Sequence, residues 1–138
     1  MSGILLVEDD PKVRQLIGEM LRRRGYQVVE AGGGREAVSL VEQDPLALDL
    51  LVADVVMPSM SGRELAGIVS SLRPGIKVLY ISGYPDDQLR QHGVSPLEAN
   101  LLQKPFTQEE LIRKVEELLR GEPKALRAGG AGTHRLWG

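Results

Sequence analysis

The chain contains no cysteine, which excludes disulfides, thiolate catalysis and Cys-ligated zinc. It has no strong charge of either sign. Seventeen Lys and Arg stand against 19 Asp and Glu, for a net charge of −2, so no general electrostatic case for nucleic-acid binding exists. Its longest apolar runs fall far short of the roughly 20 residues that cross a bilayer. No basic segment followed by an apolar run opens it, so no signal peptide is expected. No repeat of solenoid or propeller period is present either. What remains is 138 residues, 42% hydrophobic and 26% charged. That is the make-up of one soluble, cytoplasmic domain with a real core.

Residues 122–138 differ in character. They hold Glu122 against Lys124, Arg127 and Arg135, together with Gly129, Gly130, Gly132, Gly138 and the single Trp, Trp137. With little apolar periodicity, 121–138 is expected to be a flexible Gly-rich tail beyond a body at 1–120.

The body alternates two periods. Ile4–Val7 is a short apolar run ending in Glu8-Asp9-Asp10. Val13, Leu16, Ile17, Met20 and Leu21 then recur at helical spacing, with Asp10 as N-cap, Pro11 in the first turn and Gly25 as the stop. Tyr26–Ala31 reads as a second strand and Arg35–Gln43 as a short helix with Ala37, Val38 and Val41 inward. A third strand runs over Leu48–Ala53 to Asp54. Ser61-Gly62-Arg63-Glu64 is a capping box opening a helix expected to place Leu65, Ile68, Val69 and Leu72 on one side. Ile76–Ile81 and Asn100–Gln103 read as the last two strands. Thr107 and Glu110 open the final helix, with Leu111, Ile112, Val115, Leu118 and Leu119. Between Tyr84 and Ala99, Pro85, Pro96 and Gly93 leave room for about two turns over Asp86–His92. Strands alternating with helices imply an α/β fold, a doubly wound parallel sheet covered on both faces.

In such sheets function collects at the carboxyl ends of the strands. The residues found there are Glu8, Asp9 and Asp10 after the first strand, Asp54 after the third, Ser82-Gly83 after the fourth and Lys104-Pro105 after the fifth. Singly, each has a plain reading: a helix cap, a loop acid, a turn serine, a surface lysine. Together they make one chemistry. Clustered carboxylates need a hard cation, and Mg²⁺ suits carboxylates, waters and phosphoryl oxygens. A lysine and a hydroxyl stabilise the remaining phosphoryl oxygens, and Asp54 can accept a phosphoryl group as a nucleophile. Gly32-Gly33-Gly34 has no Walker pattern behind it and reads as a plain loop. His92 and His134 read as surface residues.

With those residues in place the chain resembles the receiver domain of two-component response regulators. The resemblance rests on ILLVEDDP (4–11), LVADVVMPSMSG (51–62), VLYISGY (78–84) and LLQKPFT (101–107), and covers roughly residues 3–120. It implies a flavodoxin-like sheet of five strands in the order 2-1-3-4-5. It also implies that Asp54 is the phosphoacceptor, that Asp9 binds Mg²⁺ or Mn²⁺ directly, that Glu8 acts through a water and that the Val56 carbonyl is a further ligand. Ser82 and Lys104 would hold the phosphoryl group, and the Lys104–Pro105 bond would be cis. The donor would be a phosphohistidine on a histidine kinase, acting on a signalling domain whose only reactions are its own phosphorylation and dephosphorylation, with a downstream protein partner and no direct contact to nucleic acid.

Two departures stand out. Leu101 occupies the position, three residues before the lysine, where many receivers carry Tyr or Phe, and the fourth helix is short and irregular. The pattern is closest to receivers attached to hybrid histidine kinases. Two competing readings are a carboxylate-nucleophile phosphatase or phosphotransferase and a phosphorylation-independent scaffold. The first lacks a second Asp two residues after a nucleophile on the first strand, and intact Asp54 and Lys104 argue against the second.

Overall fold

The computed structural model describes residues 2–43, 47–96 and 99–121. The expected tail from Glu122, with His134 and Trp137, lies outside them. Five strands, β1 (Gly3–Val7), β2 (Gln27–Ala31), β3 (Leu50–Asp54), β4 (Lys77–Ser82) and β5 (Leu101–Gln103), form one sheet in the order β2-β1-β3-β4-β5. All four pairings are parallel. The crossovers are α1 (Pro11–Arg23), α2 (Gly34–Gln43), α3 (Gly62–Leu72) and a short pair, α4 (Asp86–Leu89) with a 3-10 turn at Arg90–His92; α5 (Gln108–Arg120) closes the chain.

Helices on both faces explain why β1 and β3 are buried along their whole length. Ile4 and Leu6 point into one core with Ile17 and Leu21 of α1 and Leu111, Ile112 and Val115 of α5. Leu5 and Val7 point into the other, with Ala37 and Val41 of α2, Leu65 and Val69 of α3, and Leu89 and Val94 beyond. No helix among the described residues is long and apolar enough to cross a membrane.

The expected punctuation is present. Asp10 Oδ1 accepts from the Lys12 and Val13 amides at 2.9 and 3.4 Å, and Pro11 opens α1. Gly25 adopts φ +91°, a conformation that costs a side chain. The Ser61–Glu64 and Thr107–Glu110 capping boxes are both closed.

The inward faces of α1 and α3 depart from the expectation at three positions, while Val13, Ile17, Met20, Leu21, Leu65 and Val69 are buried or pack against the core. Leu16, Ile68 and Leu72 are exposed, at 53%, 39% and 40%. The buried residues on α1 are Ile17, Gly18 and Leu21, and on α3 Gly62, Leu65, Ala66 and Val69. Small residues take part of the buried face. Gly18 lies against Glu30 of β2, and Gly62 lies against the backbone carbonyl of Asp54. Helices approach a sheet most closely where they carry Gly or Ala, and a reading weighted by side-chain hydrophobicity passes over such positions.

This orientation is testable by urea unfolding. Leu21→Ala is expected to cost about 2–5 kcal/mol, whereas Leu16→Ala should stay within roughly 0.5 kcal/mol of the unaltered chain. Equal losses would place both side chains in the core.

Candidate functional site

Parallel pairing puts every strand's carboxyl end on the same edge, and register decides what meets there. Val7 pairs with Ala53, so Glu8 lies level with Asp54 on the adjacent strand. Asp54 pairs with Ile81, next to Ser82, and Ser82 pairs with Gln103, next to Lys104. With strands about 4.8 Å apart, β5 is roughly 10 Å from β3. Only a long side chain spans that gap.

Lys104 does so. Its Nζ lies 2.6 Å from Glu8 Oε1 and 3.2 Å from Asp54 Oδ2. Glu8 is buried, with 1% of its surface exposed, and Asp54 is nearly so at 9%. Oxygens of Glu8, Asp9 and Asp54 all lie within 4.8 Å of one another. Three carboxylates against one ammonium leave an excess of two negative charges. An all-oxygen donor set with that excess suits a hard divalent cation. Asp10 is apart from this group, spent on capping α1.

Ser82 is fully buried at the end of β4. Its Oγ accepts from the Tyr84 amide at 2.9 Å, which leaves the hydroxyl hydrogen available among the described residues. The Val56 amide donates to Asp54 Oδ1 at 3.4 Å, and Gly62 N donates to the Val55 carbonyl at 2.9 Å, tying the start of α3 to the loop after Asp54. The Lys104–Pro105 peptide is cis. Leu101 belongs to the same buried cluster as Tyr80, Val94 and Leu89 of the short fourth helix. Two neighbours carry no motif that the sequence reading could have used. Gln103 Nε2 donates to the Tyr84 carbonyl at 3.2 Å and to Asp86 at 3.0 Å, and Arg14 Nη1 donates to the Glu8 carbonyl at 2.8 Å.

The charges strain one another. Asp9 is pushed above the ordinary aspartate value by partial desolvation, then by its hydrogen bond to Glu8 and the Glu8 charge, against a backbone hydrogen bond and Lys104. For Lys104, desolvation opposes its charge. The hydrogen bond to Glu8 and the charges of Asp54 and Glu8 outweigh it, and its pKa stands above the usual lysine value.

Comparison with known proteins follows the same lines. The family model for the response regulator receiver domain matches residues 4–116. The response regulator receiver protein CpdR of Brucella abortus (strain 2308) is 34% identical over 119 residues, covering 86% of this chain and 98% of that protein. The sensor kinase CckA of the same organism is 37% identical over 118 residues, covering 86% of this chain but only 12% of that protein. Among solved structures, the receiver domain of the hybrid histidine kinase CckA superposes with a TM-score of 0.72 at 33% identity, over 86% of this chain and 99% of that one. The Vibrio cholerae chemotaxis protein CheY4 gives 0.73 at 28% identity, over 85% of this chain and 98% of that one.

The electrostatics predict a pH-dependent gain on removing one acid. An Asp whose folded pKa is raised contributes stability that is full below its ordinary value of 3.8 and is lost as pH rises through the folded value. At neutral pH, ionised Asp9 therefore costs stability. In EDTA at pH 7, Asp9→Asn should melt higher than the unaltered chain, and the gain should shrink as the pH is lowered towards 4. A gain that is independent of pH would contradict this account.

Proposed function

Because the chain belongs to the response regulator receiver domain family, a module of two-component phosphorelay signalling, we propose that Asp54 accepts a phosphoryl group from a histidine kinase. The observation that carries this reading is the Lys104 ammonium held between Glu8 and Asp54 at the edge of the sheet. A carboxylate oxygen of Asp54 attacks phosphorus, the O–P bond forms as the P–N bond of a phosphohistidine breaks, and the imidazole leaves with the electron pair and takes up a proton. Lys104 is already placed to follow the negative charge from the carboxylates onto the phosphoryl oxygens, and the Ser82 hydroxyl donates to one of them. Glu8, Asp9, Asp54 and the Val56 carbonyl would hold Mg²⁺ or Mn²⁺, which when bound neutralises the charge that would otherwise repel an incoming phosphoryl group.

The receiver reading takes residues 1–120 as its body, in a cytoplasmic setting, with a downstream protein partner. Its output segment is 83–99, of which 97 and 98 lie outside the described residues. Ser82 closing on a phosphoryl oxygen pulls on the Tyr84 amide that it already accepts from. Leu101, lacking a hydroxyl, transmits only packing to the short helix above it.

Two measurements test this. With acetyl phosphate and Mg²⁺, the unaltered chain should gain one phosphoryl group, Asp54→Asn should gain none, and Asp10→Asn should be largely unaffected. Labelling of the Asp54→Asn protein at full level would move the acceptor elsewhere. In hydrogen exchange with a beryllofluoride mimic, slowing should concentrate in residues 83–99, where regular structure is short. Changes confined to α1 and α2 would reject that output route.

A further inference from the structure

Arg14 lies in line with Ile17, Gly18 and Leu21, on the side of α1 that faces the sheet. Its side chain is three-quarters covered, with 24% exposed. Nη1 donates to the carbonyl of Glu8 at 2.8 Å, and Nε lies 3.6 Å from Oε1 of Glu30 on β2. Glu30 is itself braced. Its other oxygen accepts from Arg22 Nη1 at 2.7 Å, while Arg22 Nη2 donates to the Val28 carbonyl at 3.1 Å. Gly32 lies beside the guanidinium, for a Cβ there would stand 3.1 Å from Arg14 Nη1. The first glycine of the Gly32-Gly33-Gly34 run thus leaves room for a guanidinium.

The Glu8 carbonyl is the hinge between β1 and the turn that carries Asp9. The Glu8 amide donates to the Ala31 carbonyl at 3.2 Å, and the side chain is held by Lys104. Arg14 occupies the one polar group left. Because the carbonyl of Glu8 and the nitrogen of Asp9 share one rigid peptide plane, holding that carbonyl sets the point from which the Asp9 side chain departs.

We propose that Arg14, braced by Glu30, is a positioning residue. It fixes the Glu8–Asp9 peptide plane and so raises the affinity of the Glu8–Asp9–Asp54 cluster for a divalent cation. The inference rests on reading that cluster as a cation site. Charge alone predicts the opposite sign. Arg14 is a cation beside an acidic cluster, so through space it weakens binding of a second cation, whereas as a brace it strengthens it. Lysine separates the two effects, because it keeps the charge but lacks the planar fork that reaches two acceptors at once.

The test is calorimetric titration of the full chain with Mg²⁺, alongside amide hydrogen exchange in EDTA. Arg14→Lys should weaken Mg²⁺ binding about tenfold, the scale at which outer-shell partners act. Arg14→Met should also weaken it, by less, because losing the charge offsets part of the loss. Both should speed exchange at Asp9 and Asp10 without metal. Glu30→Gln should weaken binding in the unaltered background and add nothing to Arg14→Met. Unchanged affinity in Arg14→Lys together with tighter binding in Arg14→Met would overturn the proposal, as would a Glu30→Gln effect that adds in full. Should Arg14→Met fail to fold, Arg14→Lys and Glu30→Gln carry the test, the first keeping the charge and the second removing the brace. If the unaltered chain binds no Mg²⁺, the cation reading of the cluster falls, while exchange at Asp9 and Asp10 still decides whether Arg14 holds the turn.

Discussion

A single ammonium held between two buried carboxylates is the constraint around which this molecule is arranged. Oxygens of Glu8 and Asp54 lie within 4.8 Å of each other, a separation at which like charges repel by roughly 3–4 kcal/mol at an effective dielectric of about 20. Neither is in open water. Without Lys104 the top of the sheet would carry two uncompensated charges where solvent cannot screen them, which is a strongly destabilising arrangement. The lysine therefore serves the fold by compensating that charge.

That contact depends on the sheet order. Glu8 and Asp54 meet because β1 and β3 are neighbours although α1, β2 and α2 separate them in sequence. Lys104 reaches them across β4 because β5 lies on the far edge. Gly62 lets α3 start against the Asp54 carbonyl. Each of these is a requirement on backbone placement, so stability and chemistry share the same residues. The cost is visible at Asp9, whose carboxyl is held in a setting that favours its proton. Such perturbed groups gather at functional sites because chemistry needs charges placed where the bare fold would avoid them.

A second layer surrounds the first. Arg14, Glu30 and Arg22 link α1 to β2 on the side away from Lys104, and Gln103 links β5 to the loop after β4 on the other. The acidic turn is thus gripped from both flanks, by Arg14 on the backbone of Glu8 and by Lys104 on its side chain. The short fourth helix is held more lightly. Its four residues and the turn after them bury only Leu89.

Much of this was legible in the residues themselves. Alternating periods set the α/β class, and the caps at Asp10, Ser61 and Thr107 marked helix starts to within a residue, because capping is local chemistry between neighbours in sequence. Strand-end acids, a serine and a lysine pointed to one site, since a parallel sheet sends every carboxyl end to the same edge. Other features needed the tertiary structure. Gly18, Gly62 and Ala66 are buried on α1 and α3, and Gly18 and Gly62 sit in close contact that a count of hydrophobicity does not register. Arg14 looks in sequence like any other basic residue of a helix. It becomes distinct only when β2 brings Glu30 beside it and the end of β1 brings a carbonyl within hydrogen-bond reach. Local chemistry is written between residues a few positions apart, whereas a contact across strands exists only once register and packing have brought its two ends together.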